Sequence, residues 1–265
     1  MIRVTPPALS TVAATSLKQL QSRINGLSSY PERVAEARLA FKGANRPANP
    51  TFDAVKKALA EACAGARRCM YCEDSAADEI EHFRPLSFYP DLVFVWENYL
   101  YACGPCNNAK LNRFRVVSSQ TGEVVDLTRR RGDPVIPPED GSAVLLDPRS
   151  DDPLEYMRLD LLNTFRFLPR HPIGTPQHMR AHYTIELLRL NERDILPEAR
   201  REAYGHYRAR LREYVQMRGT SPAASLASAI VRCCHPVVWA EMKAQAHLVD
   251  DLGPLFEAAP EARTW

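Results

Sequence analysis

Four cysteines in two tight pairs set the first limit on this chain. Cys69 and Cys72 form one pair, in Cys69-Met70-Tyr71-Cys72, and Cys103 and Cys106 the other, in Cys103-Gly104-Pro105-Cys106. A Cys-x-x-Cys turn presents two sulfurs on one side of a metal. Two such turns close a tetrahedral shell with Zn–S near ~2.3 Å. Four protein ligands leave no open position, so the spacing predicts a structural zinc rather than a catalytic one. The 30 residues between Cys72 and Cys103 exceed the spacing of a plain zinc ribbon. Something is inserted there, and the metal would hold its two ends together. A redox role for Cys-x-x-Cys is the rival reading; two pairs around a polar insert favour metal. Cys63, Cys233 and Cys234 lack pair spacing and read as small buried hydrophobes.

The metal reading presupposes reduced thiols. No apolar run approaches the ~20 residues needed to cross a bilayer, and Met1 to Pro7 lacks the apolar core of a secretion signal. The expected location is cytoplasmic, where cysteines stay reduced. The 265 residues carry 45% hydrophobic and 25% charged side chains, ordinary for a globular protein. A net charge of +2 excludes a polycation. Arginines nevertheless cluster after the second cysteine pair, with Lys110, Arg113, Arg115 and Arg129-Arg130-Arg131. Guanidinium forks match phosphate geometry, although an arginine-rich composition also produces solvated helix faces.

Periodicity divides the chain into four parts. Residues 1–65 read as a helical extension. Leu17, Leu20 and Ile24 recur at helical spacing, as do Phe52, Val55 and Leu59, with one break over Gly43–Pro50 and Thr51 as a cap. Residues 66–116 are the cysteine-framed unit. Residues 117–175 read as a loop and short-strand connector, with a strand over Ala143–Asp147. Residues 176–265 turn helical again. Met179, Tyr183 and Leu187 share one face, Tyr207, Leu211 and Val215 another, and a last helix runs from Pro222 to Leu248 with an interruption near Pro236.

The insert carries Glu81-His82-Phe83-Arg84-Pro85 and then Trp96-Glu97-Asn98-Tyr99; Asn107-Asn108-Ala109-Lys110 follows the last cysteine. A histidine can take a proton from water near neutral pH. A carboxylate and an amide oxygen suit Mg²⁺, leaving positions for water and phosphate. Adjacent residues of an extended segment point to opposite sides. A turn or bulge would therefore be needed to aim Glu81 and His82 at one phosphate.

Together these residues resemble the HNH endonuclease family, of the kind with a zinc-bound Cys-x-x-Cys pair at each end. The family pattern is an acidic residue, His, two residues and Pro; then Asn before an apolar residue; then Cys-x-x-Cys, His or Asn, two residues and Lys. Glu81 stands where Asp is frequent, and Asn107 where His is frequent. The resemblance implies an α+β, mostly helical chain. A small ββα-metal HNH core would be stapled by the four-cysteine zinc site and flanked by N- and C-terminal helices. It further implies His82 as general base, Asn98 bracing the loop that orients it, and Glu81 and Asn107 as ligands of catalytic Mg or Mn. Arg84, Lys110 and Arg113 are the phosphate-binding candidates.

Further segments extend the likeness. Leu146-Asp147-Pro148-Arg149-Ser150-Asp151-Asp152-Pro153 and Thr184-Ile185-Glu186-Leu187-Leu188-Arg189-Leu190-Asn191 are similar to the PtuB-like HNH subunits of Septu-type anti-phage systems, also used as retron effectors. That resemblance implies antiviral defence, DNA as substrate, and an ATPase partner of the ABC/SMC type. No Gly-Lys-Ser/Thr nucleotide loop occurs in the chain itself. Arg201, Arg208 and Arg212 are the expected docking residues. Two rivals stay open: a non-catalytic zinc module that binds nucleic acid or protein, and an RNA-cleaving HNH toxin.

Overall fold

A computed structural model describes residues 1–265. The chain is α+β: helices dominate, and seven short strands form three small antiparallel sheets. It divides into two compact units, neither of them one continuous stretch of sequence.

One unit holds Arg3–Cys63 and Ala77–Asp151. It opens with α1 (Thr11–Asn25), α2 (Tyr30–Ala44) and α3 (Pro50–Glu61). The sequence suggested one break in this stretch; there are two. Ser29 begins α2 with a capping box, its hydroxyl accepting from the Glu32 amide while Glu32 accepts from the Ser29 amide. The cap of α3 is Asn49 rather than Thr51. Its side-chain oxygen accepts from the amides of Thr51 and Phe52, because Pro50 fixes the first helical position one residue early. The stripe Ala13, Leu17, Ile24 of α1 and Phe52, Val55, Leu59 of α3 is buried.

Next comes β1 (Glu79–His82), paired antiparallel with β2 (Tyr99–Ala102) in a regular register that sets Glu81 opposite Leu100 and His82 opposite Tyr99. α4 (Gly104–Lys110) follows β2 directly, completing a ββα unit. β3 (Phe114–Ser118) is the middle strand of a sheet with β4 (Val124–Leu127) and β5 (Gly141–Ala143). The strand expected over Ala143–Asp147 thus lies earlier. Gly141 permits it: a Cβ there would stand 2.1 Å from the Val117 carbonyl oxygen.

The other unit holds Met1–Ile2, Ala64–Ala76 and Asp152–Trp265. It contains α5 (Pro153–Tyr156), a hairpin of β6 (Met157–Leu159) and β7 (Phe167–Pro169), and α6 (Pro176–Leu187), α7 (Ile195–Met217), α8 (Ala223–Val231), α9 (Pro236–Ala244) and α10 (Leu252–Ala258). Arg200 is its buried strut, donating to the carbonyls of Phe165 (3.0 Å) and Leu190 (2.9 Å) beneath the Phe167 ring. The arginines expected to dock a partner are engaged within the unit. Arg208 and Arg212 both pair with Asp251 at 3.0 Å, and Arg201 pairs with Glu198 at 2.8 Å. No single helix is long and apolar enough to cross a membrane.

Candidate active site

The sulfurs of Cys69, Cys72, Cys103 and Cys106 all lie within 4.8 Å of one another, and all four residues are buried. Tetrahedral Zn–S bonds of ~2.3 Å set sulfurs roughly 3.8 Å apart. The group could therefore hold zinc, as the spacing predicted. Cys63, Cys233 and Cys234 are half-buried rather than buried. The Cys233 thiol, hydrogen-bonded to its neighbour Cys234, is lowered to about 6.

Strand alternation decides what surrounds β1. Its pairing carries no bulge through Glu81 and His82, so the two side chains leave on opposite sides. Glu79 and Glu81 share the side that meets α4. There Asn107 and Lys110 lie one helical turn apart. The Asn107 amide donates to the Glu79 carboxylate at 2.6 Å, and the Lys110 ammonium meets the Glu81 carboxylate at 2.5 Å. Lys110 is fully buried and also donates to the His82 carbonyl at 2.8 Å. Burial pushes the Glu81 carboxyl up, with the Lys110 charge opposing. Each ion of such a pair depends on the other, since an unpaired charge in the same place is costly.

On the opposite side, His82 is buried among aromatic rings: Phe41 of α2 at 4.4 Å and Tyr99 at 5.2 Å, both edge-on. Its Nε2 lies 3.0 Å from the Val93 carbonyl. A carbonyl can only accept, so Nε2 carries the hydrogen and Nδ1 keeps its lone pair. The Tyr99 hydroxyl donates to the same carbonyl at 2.7 Å. Burial lowers the His82 pKa to about 4, so the ring is neutral at pH 7.

The Val93 carbonyl is itself held in place. The Asn98 side chain accepts from the Arg84 amide (2.8 Å) and donates to the carbonyls of Arg84 (3.0 Å) and Leu92 (3.1 Å). Gln21 of α1 clamps the same loop, accepting from the Phe94 amide and donating to the Pro90 carbonyl. Arg149 donates to the Trp96 and Tyr99 carbonyls. The loop from Pro90 to Asn98 is thus tied at both ends and in the middle. The sequence pointed to Asn98; Gln21, Tyr99 and the Val93 carbonyl carried no motif that would mark them.

Arg84 donates to the Gly141 carbonyl at 3.1 Å and stacks over Tyr89 and Phe114, and Arg113 is exposed. An open cleft of about 410 Å³ is lined by Phe41, Asn45, Lys56, Asp78, Glu79, Ile80 and Asn107. Glu79 and Asn107 offer hard oxygens at its wall, a donor set that fits Mg²⁺ or Mn²⁺. Glu81 could join them only by exchanging part of its contact with Lys110. No motif marks Glu79, although its place two residues before Glu81 on a strand puts it on the same face.

A 48-residue segment is 44% identical to the Septu protein PtuB of Bacillus thuringiensis. It covers 16% of this chain and 19% of that protein. Part of the chain is therefore related to a Septu protein, over about a fifth of the relative's length. No protein-family model and no solved structure matches the chain.

Proposed function

We propose that the chain is a divalent-metal-dependent HNH endonuclease that hydrolyses DNA phosphodiester bonds. In this reading it is the effector of an anti-phage defence pair whose other member is an ABC/SMC-type ATPase. One observation carries the reading. His82 is a neutral imidazole whose Nε2 hydrogen is committed to the Val93 carbonyl, on a loop that Asn98 ties down. That arrangement fixes the tautomer in which Nδ1 is a base. The residue pattern from Glu81 to Lys110 and the partial identity with a Septu protein support it.

Asn107, with Glu79 at the cleft and Glu81 behind it, would hold the divalent ion. When bound, that ion supplies Lewis-acid stabilisation of charge on the phosphate. His82 leaves β1 on the face opposite Glu79 and Glu81, so this step requires β1 to bend and open its ring to water. Nδ1 then takes a proton from water, whose oxygen bonds to phosphorus as the bond to the 3′-oxygen breaks. The products carry 5′-phosphate and 3′-hydroxyl ends. Arg113, exposed beside α4, is the best placed of the three expected phosphate contacts. Such contacts position the strand without reading its sequence. The test is cleavage of plasmid DNA by the purified chain with Mg²⁺ or Mn²⁺, with and without the ATPase. Metal-dependent nicking supports the reading; intact plasmid in every combination contradicts it.

A second reading has an observation of its own. His82, Glu81 and Lys110 are all closed off from solvent, at 6%, 4% and 0% exposure. A non-catalytic zinc module, with these residues as its core, would look the same. DNA binding without cleavage under any metal would favour it.

A further inference from the structure

The cleft beside the ββα unit contains a cation that the proposed chemistry has not used. Lys56 projects from α3, a helix outside the ββα unit, into the wall that also holds Glu79 and Asn107. It is half-buried, and its ammonium has no hydrogen-bond or ion-pair partner even though Asp78 and Glu79 line the same cleft. An ammonium in a concave site ordinarily settles on a nearby carboxylate. The same wall contains a second unsatisfied group: the Asn45 side-chain oxygen is sealed from solvent and accepts no hydrogen bond. Buried polar atoms in native folds are almost always paired. The wall therefore presents a free cation and an orphan acceptor next to a carboxylate–amide pair. A phosphodiester fits the ammonium and the carboxylate–amide pair. Its non-bridging oxygens take the ammonium, while the carboxylate and amide take a cation that the phosphate also touches. The Asn45 oxygen, an acceptor, can be met only by a donor or a cation.

We propose that this cleft is the seat of a DNA phosphate and that Lys56 is the side chain that grips it. The inference rests on the nuclease reading for its ligand and adds a residue contributed by the N-terminal helices. Lys57, exposed on the same helix and outside the cleft, serves as the internal control.

The experiment measures binding of a short duplex DNA across a salt series, using the full-length zinc-loaded chain. The His82→Ala background prevents turnover, and the variants are Lys56→Gln, Lys56→Arg and Lys57→Gln. One phosphate contact contributes about 0.9 to the slope of log K against log salt. Lys56→Gln should reduce the slope by about that amount and weaken binding roughly tenfold at low salt. Lys56→Arg should restore most of both, and Lys57→Gln should leave a smaller change. Equal effects of Lys56→Gln and Lys57→Gln overturn the inference even if the wild-type chain cuts DNA. A Lys56-dependent slope in a chain that never cleaves DNA upholds it and removes the nuclease reading. No DNA binding by the parent chain overturns both.

Discussion

His82 enters the fold as a neutral ring, and that has a measurable consequence. Its folded pKa, lowered to about 4 by burial, lies below the ordinary value of 6.5. Between those two values the unfolded chain binds the proton and the folded chain does not. Its contribution to stability is therefore complete above pH 6.5 and is lost as pH falls toward 4. At 1.36 kcal/mol per pH unit, the loss reaches about 2 kcal/mol at pH 5. Glu81, raised by burial, has the opposite sign, so the two must be separated by substitution. Denaturant unfolding of wild type and His82→Gln should show the wild type losing about 2 kcal/mol more between pH 7 and pH 5; parallel losses would contradict the assignment. Asn98 gives a second prediction. Asn98→Ala removes three hydrogen bonds to the loop backbone and should cost roughly 2–4 kcal/mol at about 1 kcal/mol per bond, read as a lower denaturation midpoint. Asn98 was singled out by the likeness to the HNH pattern, in which an Asn before an apolar residue braces the loop that orients the histidine. The His82 environment was not legible in the same way. Its burial depends on Phe41, forty-one residues away along the chain.

At the scale of elements, α4 is the piece that ties the site together. It begins at the second cysteine pair, presents Asn107 and Lys110 to β1, and ends at Leu111. Leu111 is exposed and takes φ 45°, ψ −123°, a left-handed conformation that an L side chain rarely adopts. Leu111→Gly relieves that strain without removing buried contacts, and should raise stability by about 1 kcal/mol. Chemical denaturation would show it, and a lower midpoint would contradict the geometry. The four-cysteine group acts on the same helix. Cys103→Ser removes one of four ligands and should lower both bound zinc, expected at one ion per chain from the four-cysteine group, and the folded fraction, since ligation and folding are coupled. Well-folded wild-type protein without zinc would contradict this. Helix existence was readable from the periodicity of Leu17 and Ile24, or of Phe52, Val55 and Leu59. Helix boundaries were not, because Asn49 and Pro50 outcompeted Thr51 as the start of α3. The strand β5 was displaced for a similar reason: its position follows from backbone approach at Gly141, not from an apolar run.

For the molecule as a whole, the ββα arrangement was implied by the likeness to the HNH pattern, whose parts lie close together along the chain, from Cys69 to Lys110. What local spacing could not reveal was the setting: the Gln21 and Arg149 braces, the cleft with Lys56, and the pairing of Arg208 and Arg212 with Asp251. Those exposed pairs contribute little to stability, on the order of 0–1 kcal/mol each. A partner could therefore displace them at small cost, but they are not free arms waiting for one. Plasmid cleavage decides whether His82 is the base of a DNA-hydrolysing site. Wild type and His82→Ala are compared in Mg²⁺ or Mn²⁺, each with and without the proposed ATPase partner and with zinc content and folding checked beforehand. Metal-dependent nicking by wild type and a loss of ~10²–10⁴-fold in the variant are the expected results. Equal cleavage by a folded, zinc-loaded His82→Ala protein would contradict the claim.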